Sequence, residues 1–147
     1  MLYAGDGNPR IRGVAFEDDN QCPCGSGAPL AECCGRFVDG RQTPETAEQL
    51  MRSRFTAYCL KRVDYIVETT HPDTRTRHLN GEVAETADQL QWSNLQVLST
   101  NQGQAKDKIG KVIFEADYVY NGKQEKHHEH SRFRRFEGKW KYLDDKG

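Results

Sequence analysis

Apolar positions along the chain follow two periods, and the change between them divides it. Between residues 44 and 58, Ala47, Leu50, Met51, Phe55 and Tyr58 recur at helical spacing on one face. Thr43 is placed to cap this helix, Pro44 suits its first position, and Glu45 suits the positive end of its dipole. At about 100° per residue, Arg54 projects from the middle of the apolar stripe. A shorter helix is expected over Asp64–Thr70, ending at the His71-Pro72 step, because the residue before a proline resists helical geometry. Residues 73–91 are mixed and polar and show no clear period.

From Trp92 onward the period is two. Leu95 and Val97 alternate with polar neighbours, and Val112, Phe114, Ala116, Tyr118 and Tyr120 share one face of a second strand. Asn121-Gly122 signals a hairpin turn, and the return strand runs over roughly 127–136. Glu137-Gly138 marks another turn before a last strand carrying Trp140 and Tyr142. Helices followed by consecutive antiparallel strands predict an α+β fold.

Composition narrows this picture. Of 147 residues, 35% are hydrophobic and 29% charged, so the core is small or part of the chain lies outside it. No window approaches the ~20 apolar residues of a membrane span, and the first twenty residues hold no signal-peptide core. A cytoplasmic location is therefore expected. Residues 1–20, with three glycines, a proline and the acidic triplet Glu17, Asp18, Asp19, read as a flexible lead. The net charge of −1 argues against bulk nucleic-acid binding. Residues 123–141 are nevertheless basic, with a local charge of +4, and read as a solvated strand face or a docking surface for an acidic partner.

Four of the five cysteines, Cys22, Cys24, Cys33 and Cys34, fall within thirteen residues. In a reducing compartment such a cluster is a metal site rather than a disulfide framework. Four thiolates close a tetrahedral shell with no open position, so the ion is expected to be structural. Zinc fits that shell, and thiolates also suit iron. Gly25 and Gly27 let the loop curl, and backbone N–H groups or Arg36 could offset the negative charge on sulfur. A unit this short has almost no core of its own, so metal binding should supply its folding energy. Cys59, alone in a helical segment, reads as a small buried side chain.

Two resemblances follow from these motifs. CPCGSG followed by CC resembles the SEC-C motif, found in the tail of the SecA translocation ATPase and in many small bacterial proteins, and implies a metal knuckle over 21–37. MRSRFTAYCLKRVDYIVETTHPDT, Trp92, VIFEADY, EHSRF and GKWKYLD together resemble the YchJ family. That resemblance implies a nuclear transport factor 2-like domain over 42–147, a cone of helices packed on a curved antiparallel sheet around a cavity. It carries over no established activity.

Inside such a cone, Arg54 lies on the buried helix face, and Glu129 and Ser131 share a strand face with Phe133. A buried Arg54 needs an anion, and Glu129 is the expected partner. The pair is either a structural ion pair, or Glu129 is a base or ligand-binding carboxylate with His71 and Tyr58 nearby. His127, His128 and His130 read as exposed strand histidines, and no catalytic residue is assigned. The leading functional expectation is a non-enzymatic adaptor with a protein partner. By resemblance to SEC-C tails, candidate partners are a SecB-like chaperone, the ribosome or anionic lipid, with a homodimer formed through the cone. The alternative is a small-molecule binder or enzyme using the cavity around Arg54 and Glu129.

Overall fold

A computed structural model describes residues 20–147, so the expected flexible lead over 1–20 lies almost wholly outside the described residues. The expected metal-loop unit opens the described chain, with a 3-10 turn at Leu30–Glu32 and helix α1 at Gly35–Val38. Three helices follow: α2 (Ala47–Cys59), α3 (Val63–Glu68) and α4 (Leu79–Gln89). Strands β1 (Gln91–Gln102), β2 (Ile109–Tyr120), β3 (Lys123–Phe136) and β4 (Lys139–Asp144) form one antiparallel meander in sequence order. The α+β class expected from the sequence is the observed one.

The two tight turns have the chemistry their residues predict. Asn121 and Gly122 both have positive φ, as do Glu137 and Gly138, and each pair joins strands in direct register. Two consecutive positive φ angles match the right-handed twist of the flanking strands. Helix α2 begins three residues later than the sequence suggests. Thr46, not Thr43, is the cap: its hydroxyl accepts from the Gln49 N–H at 3.1 Å, and Gln49 Oε1 accepts from the Glu45 N–H at 2.8 Å. This arrangement out-competes Thr43-Pro44 because Thr46 satisfies one orphan donor of the helix while Gln49 ties down the chain just ahead of the cap. Thr46→Ala should cost about 1 kcal/mol and Thr43→Ala close to nothing, read as a Tm drop of roughly 2–4 °C for the first alone. Equal drops would return the cap to Thr43.

Helix α2 is buried on two sides. Leu50, Met51 and Phe55 face the sheet, while Thr56 meets the metal loop through a 3.5 Å contact with Cys22 Sγ. Leu30, Phe37 and Val38 of the metal unit belong to the same buried cluster as Leu50, Phe55, Val112 and Phe133. The metal unit therefore packs as part of the body. The end of α3 is stitched to β4: His71 N–H donates to Tyr142 O, and Tyr142 N–H donates to Thr69 O, both at 2.8 Å. Trp140 Nε1 donates to Glu45 O at 3.0 Å, fixing β4 to the start of α2. Arg135, in the basic segment read as a solvated strand face or a docking surface, stacks on Trp140 at 4.4 Å and donates to the carbonyls of Ala105, Asp107 and Gly138. Helix α4 falls in the stretch that shows no clear period, and it buries only Val83 and Ala87. Among the described residues no helix is long and apolar enough to cross a membrane.

Candidate functional site

Two sites lie on opposite sides of α2. The first is the cysteine cluster. The sulfurs of Cys22, Cys24, Cys33 and Cys34 all lie within 4.8 Å of one another, and none is in a disulfide. Tetrahedral zinc, with Zn–S bonds of ~2.3 Å, would set its sulfurs about 3.8 Å apart, so the donor set fits a single ion. Cys22, Cys24 and Cys34 are buried and Cys33 is partly exposed. Gly25 and Gly27 both take positive φ, and Cys22 N–H pairs with Ala28 O at 2.9 Å to close the first turn.

The sulfurs share protons unequally. Hydrogen bonds from Cys22 and Cys34, then from Ser26, hold Cys24 far below the usual thiol range. Its neighbour Cys22 is pushed up to about 11, chiefly by sharing a hydrogen bond with Cys24, and Cys34 is raised further by Cys22, Cys24 and burial. A cation held by these four residues would remove this competition, because thiolates would be its ligands. Arg36 does not serve the sulfurs: it donates to Cys33 O at 3.0 Å and to Gln42, and stacks on Phe37. Polar contact with sulfur comes instead from Ser26 Oγ, 3.2 Å from Cys33 Sγ, from Thr56, and, as expected of the loop, from the backbone of Cys24 toward Cys22 and of Ser26 toward Cys24. Arg52 ties the loop to α2 through Cys24 O at 2.9 Å.

The second site is a cavity of about 340 Å³ between α2, α4 and the concave sheet face. Its apolar wall includes Phe55, Leu90, Trp92, Phe114 and Tyr118, and its polar floor holds Arg54, His127, Glu129, Ser131 and Tyr142. Trp92 is the hub of the wall, with Phe55, Tyr58, Tyr118 and His127 rings all within 6.4 Å of its own. Its buried Nε1 has no hydrogen-bond partner among the described residues.

The floor differs from expectation in one decisive respect. Arg54 and Glu129 both reach the cavity, yet they do not bond to each other. Glu129 Oε1 accepts from His127 Nε2 at 2.8 Å, and Oε2 accepts from Ser131 Oγ at 2.6 Å and Tyr142 OH at 2.9 Å. Burial pushes the Glu129 carboxyl up, but these three donors outweigh it and hold it below its ordinary range. The bond to Glu129 in turn raises His127 against the opposing effect of burial. Arg54 Nη1 instead donates to Ile66 O and Thr69 Oγ1 at 2.8 Å and to Thr70 Oγ1 at 3.2 Å, with the guanidinium 4.4 Å over the Tyr142 ring. The carboxyl end of α3 reaches Arg54 before the sheet does, and Tyr142 stands between the two charges.

Tyr58 and Ser131 line the cavity. His71 does not: its Nδ1 accepts from Asp73 N–H at 3.0 Å and its ring packs edge-on against Phe136. His127, read from the sequence as exposed, is part of the floor, and its period-two partnership with Glu129 was the available signal. His128 and His130 do share the other sheet face, their Nε2 atoms 3.2 Å apart. Cys59 is a packed thiol, raised to about 12 by burial.

Comparisons with known proteins bear on both sites. A family model described as the YchJ middle NTF2-like domain matches residues 46–145, and the SEC-C motif model matches residues 20–36. A UPF0225 protein of Geobacter sulfurreducens is 41% identical over 128 residues, 87% of this chain and 80% of its own. One from Chromobacterium violaceum is 43% identical, covering 83% and 89%. Among solved structures, a SEC-C motif containing protein from Rhodopseudomonas palustris superimposes with a TM-score of 0.77 at 35% identity, covering 85% of this chain and 96% of that one. A second, from Psychrobacter arcticus, has a TM-score of 0.72 at 24% identity and supports the fold alone.

Proposed function

Because the chain belongs to the YchJ family, with a SEC-C motif ahead of an NTF2-like domain, we propose that it is a small-molecule-binding protein braced by a structural metal knuckle. The observation that carries this reading is the cavity itself. Its volume of about 340 Å³, its aromatic wall and its few converging polar groups are the ordinary anatomy of a ligand site. A wall filled solid by Phe55, Phe114 and Phe133 would have argued against it, and these side chains line the space without closing it.

The knuckle's part in this reading is support. Zinc is the ion proposed for Cys22, Cys24, Cys33 and Cys34, since a shell of four thiolates leaves no position for a substrate. Four free thiols in one loop suit a reducing compartment, which favours the cytoplasm. The test is a thermal melt of the metal-loaded chain against a panel of small aromatic and aliphatic compounds. A ligand present at a hundred times its Kd should add about 2.7 kcal/mol, seen as a Tm gain of several degrees. Thr86→Phe, which places a ring at the α4 side of the cavity, should abolish that gain with little change in the unliganded Tm. A gain that persists in Thr86→Phe, or a panel without any gain, rejects the reading.

An adaptor that binds a protein partner is the second reading, and Leu98, Ile109, Tyr120 and Phe136 favour it as large apolar side chains exposed on the strands. Against it, the knuckle shares its apolar residues with the cone core, which leaves it less surface to present. Capture of a partner that depends on intact Cys33 and Cys34, by a chain whose cavity is blocked, would favour the adaptor.

A further inference from the structure

We infer that Arg54 is an anion anchor, and that the cavity takes a small organic acid. Its carboxylate would meet the guanidinium, and its apolar body would lie against Phe55, Leu90, Trp92 and Phe114. The inference rests on the cavity reading above and names the ligand class for it.

Arg54 is only 9% exposed and lines the cavity. All three of its hydrogen bonds leave from Nη1, and all three acceptors are neutral oxygens. Its Nε and Nη2 make no hydrogen bond among the described residues. A guanidinium has five N–H donors in a rigid fork, so most of its capacity is unspent. The carboxylate nearest in purpose, Glu129, is engaged by His127, Ser131 and Tyr142 and forms no ion pair with Arg54. Burial is the largest effect on Arg54 and holds it below its ordinary range, and Glu129 is the last of the groups that oppose this through space.

A buried cation without a directly bonded anion is costly unless something supplies one. The Tyr142 ring fixes the guanidinium plane from one side, and the end of α3 fixes Nη1. Donor excess on the floor and aromatic surface on the wall select a ligand that is anionic at one end and apolar along its body. A carboxylate suits the fork in shape as well as charge. Glu129 then has a positioning role: it accepts from Tyr142, which carries Arg54 on its face.

The experiment compares three probes of one shape: phenylpropionate, phenylpropanol and phenylpropylamine. Each is titrated calorimetrically into the metal-loaded full chain, with the Arg54 Nε–H and Trp92 indole N–H resonances followed by NMR. Phenylpropionate should bind about tenfold or more tighter than the alcohol, the gain of one charge-assisted contact, and should alone move the Arg54 Nε–H resonance strongly downfield. The amine should bind most weakly. Arg54→Met, similar in length and uncharged, should bind acid and alcohol equally. The comparison in the natural chain stands even if that variant folds poorly. Equal affinity for all three probes, or preference for the amine, overturns the anion anchor while leaving the cavity as a ligand site. Binding by none of them removes the cavity reading and this inference together.

Discussion

Cys24→Ser, or stripping the ion with a chelator, is expected to unfold residues 21–38 and to lower the Tm of the whole chain by roughly 10–20 °C. The size follows from what the loop carries into the core. Leu30, Phe37 and Val38 are each at most 5% exposed and pack in one cluster with α2 and the sheet. At ~1.5–3 kcal/mol per side chain, their release alone costs about 5 kcal/mol, a large share of the ~5–15 kcal/mol that holds an ordinary domain. Without the ion the loop has little reason to stay, since its own regular structure is one 3-10 turn and one helical turn. NMR should show loss of dispersed resonances over the knuckle with the sheet resonances retained, and the calorimetric melt should shift to match. An unchanged Tm in metal-free protein would mean that the apolar contacts hold the loop unaided, and the bracing role would fail.

The same packing explains why some of the site was legible in the sequence and some was not. Arg54 stood out because a charge in an apolar helical stripe breaks a local pattern, and it is indeed buried. Glu129 and Ser131 were legible because period two ties them to Phe133, and His127 follows from the same rule once Glu129 is inside. What periodicity cannot encode is which of two inward groups reaches the other first. Arg54 is held by Ile66, Thr69 and Thr70, and their approach depends on how α3 turns back after Lys61, at a positive φ of 59°, to meet β4. His71 was misplaced for the same reason: the stitch between Thr69 and Tyr142 turns its ring toward Phe136. Helix α4 escaped because Val83 and Ala87 are its only buried positions, too few to set a period.

Gly110→Ala is expected to be a highly damaging single-methyl addition to the sheet, exceeded only by Gly103→Ala. Gly103, just past β1, and Gly110, in β2, lie back to back, and Ala47 at the first turn of α2 rests on both. A Cβ at Gly110 would sit 2.5 Å from Gly103 Cα and 3.2 Å from Ala47 Cβ. Neither neighbour is a flexible side-chain end, so backbone must move. Ala47 N–H also donates to Gly103 O at 2.8 Å, and Gly103 N–H to Ile109 O at 3.0 Å, so the displacement breaks bonds that dock the start of α2 on the sheet. Overpacking of this kind costs ~1–3 kcal/mol, and loss of a docking bond adds about 1, for a Tm fall near 10 °C. Gly122→Ala is the control. Its φ of +78° carries the left-handed penalty of ~1–2 kcal/mol, but a Cβ there meets nothing within 4 Å. Gly103→Ala combines both faults, with φ +79° and a Cβ 2.8 Å from that of Ala47, and should be worse than either. Because this contact sets where α2 enters the cone, the Gly110 variant should also weaken any ligand of the cavity, whereas the Gly122 variant should not. Equal melts for Gly110→Ala and Gly122→Ala would show that the sheet yields at this point, and that α2 is positioned from its other end, by the metal knuckle and α3.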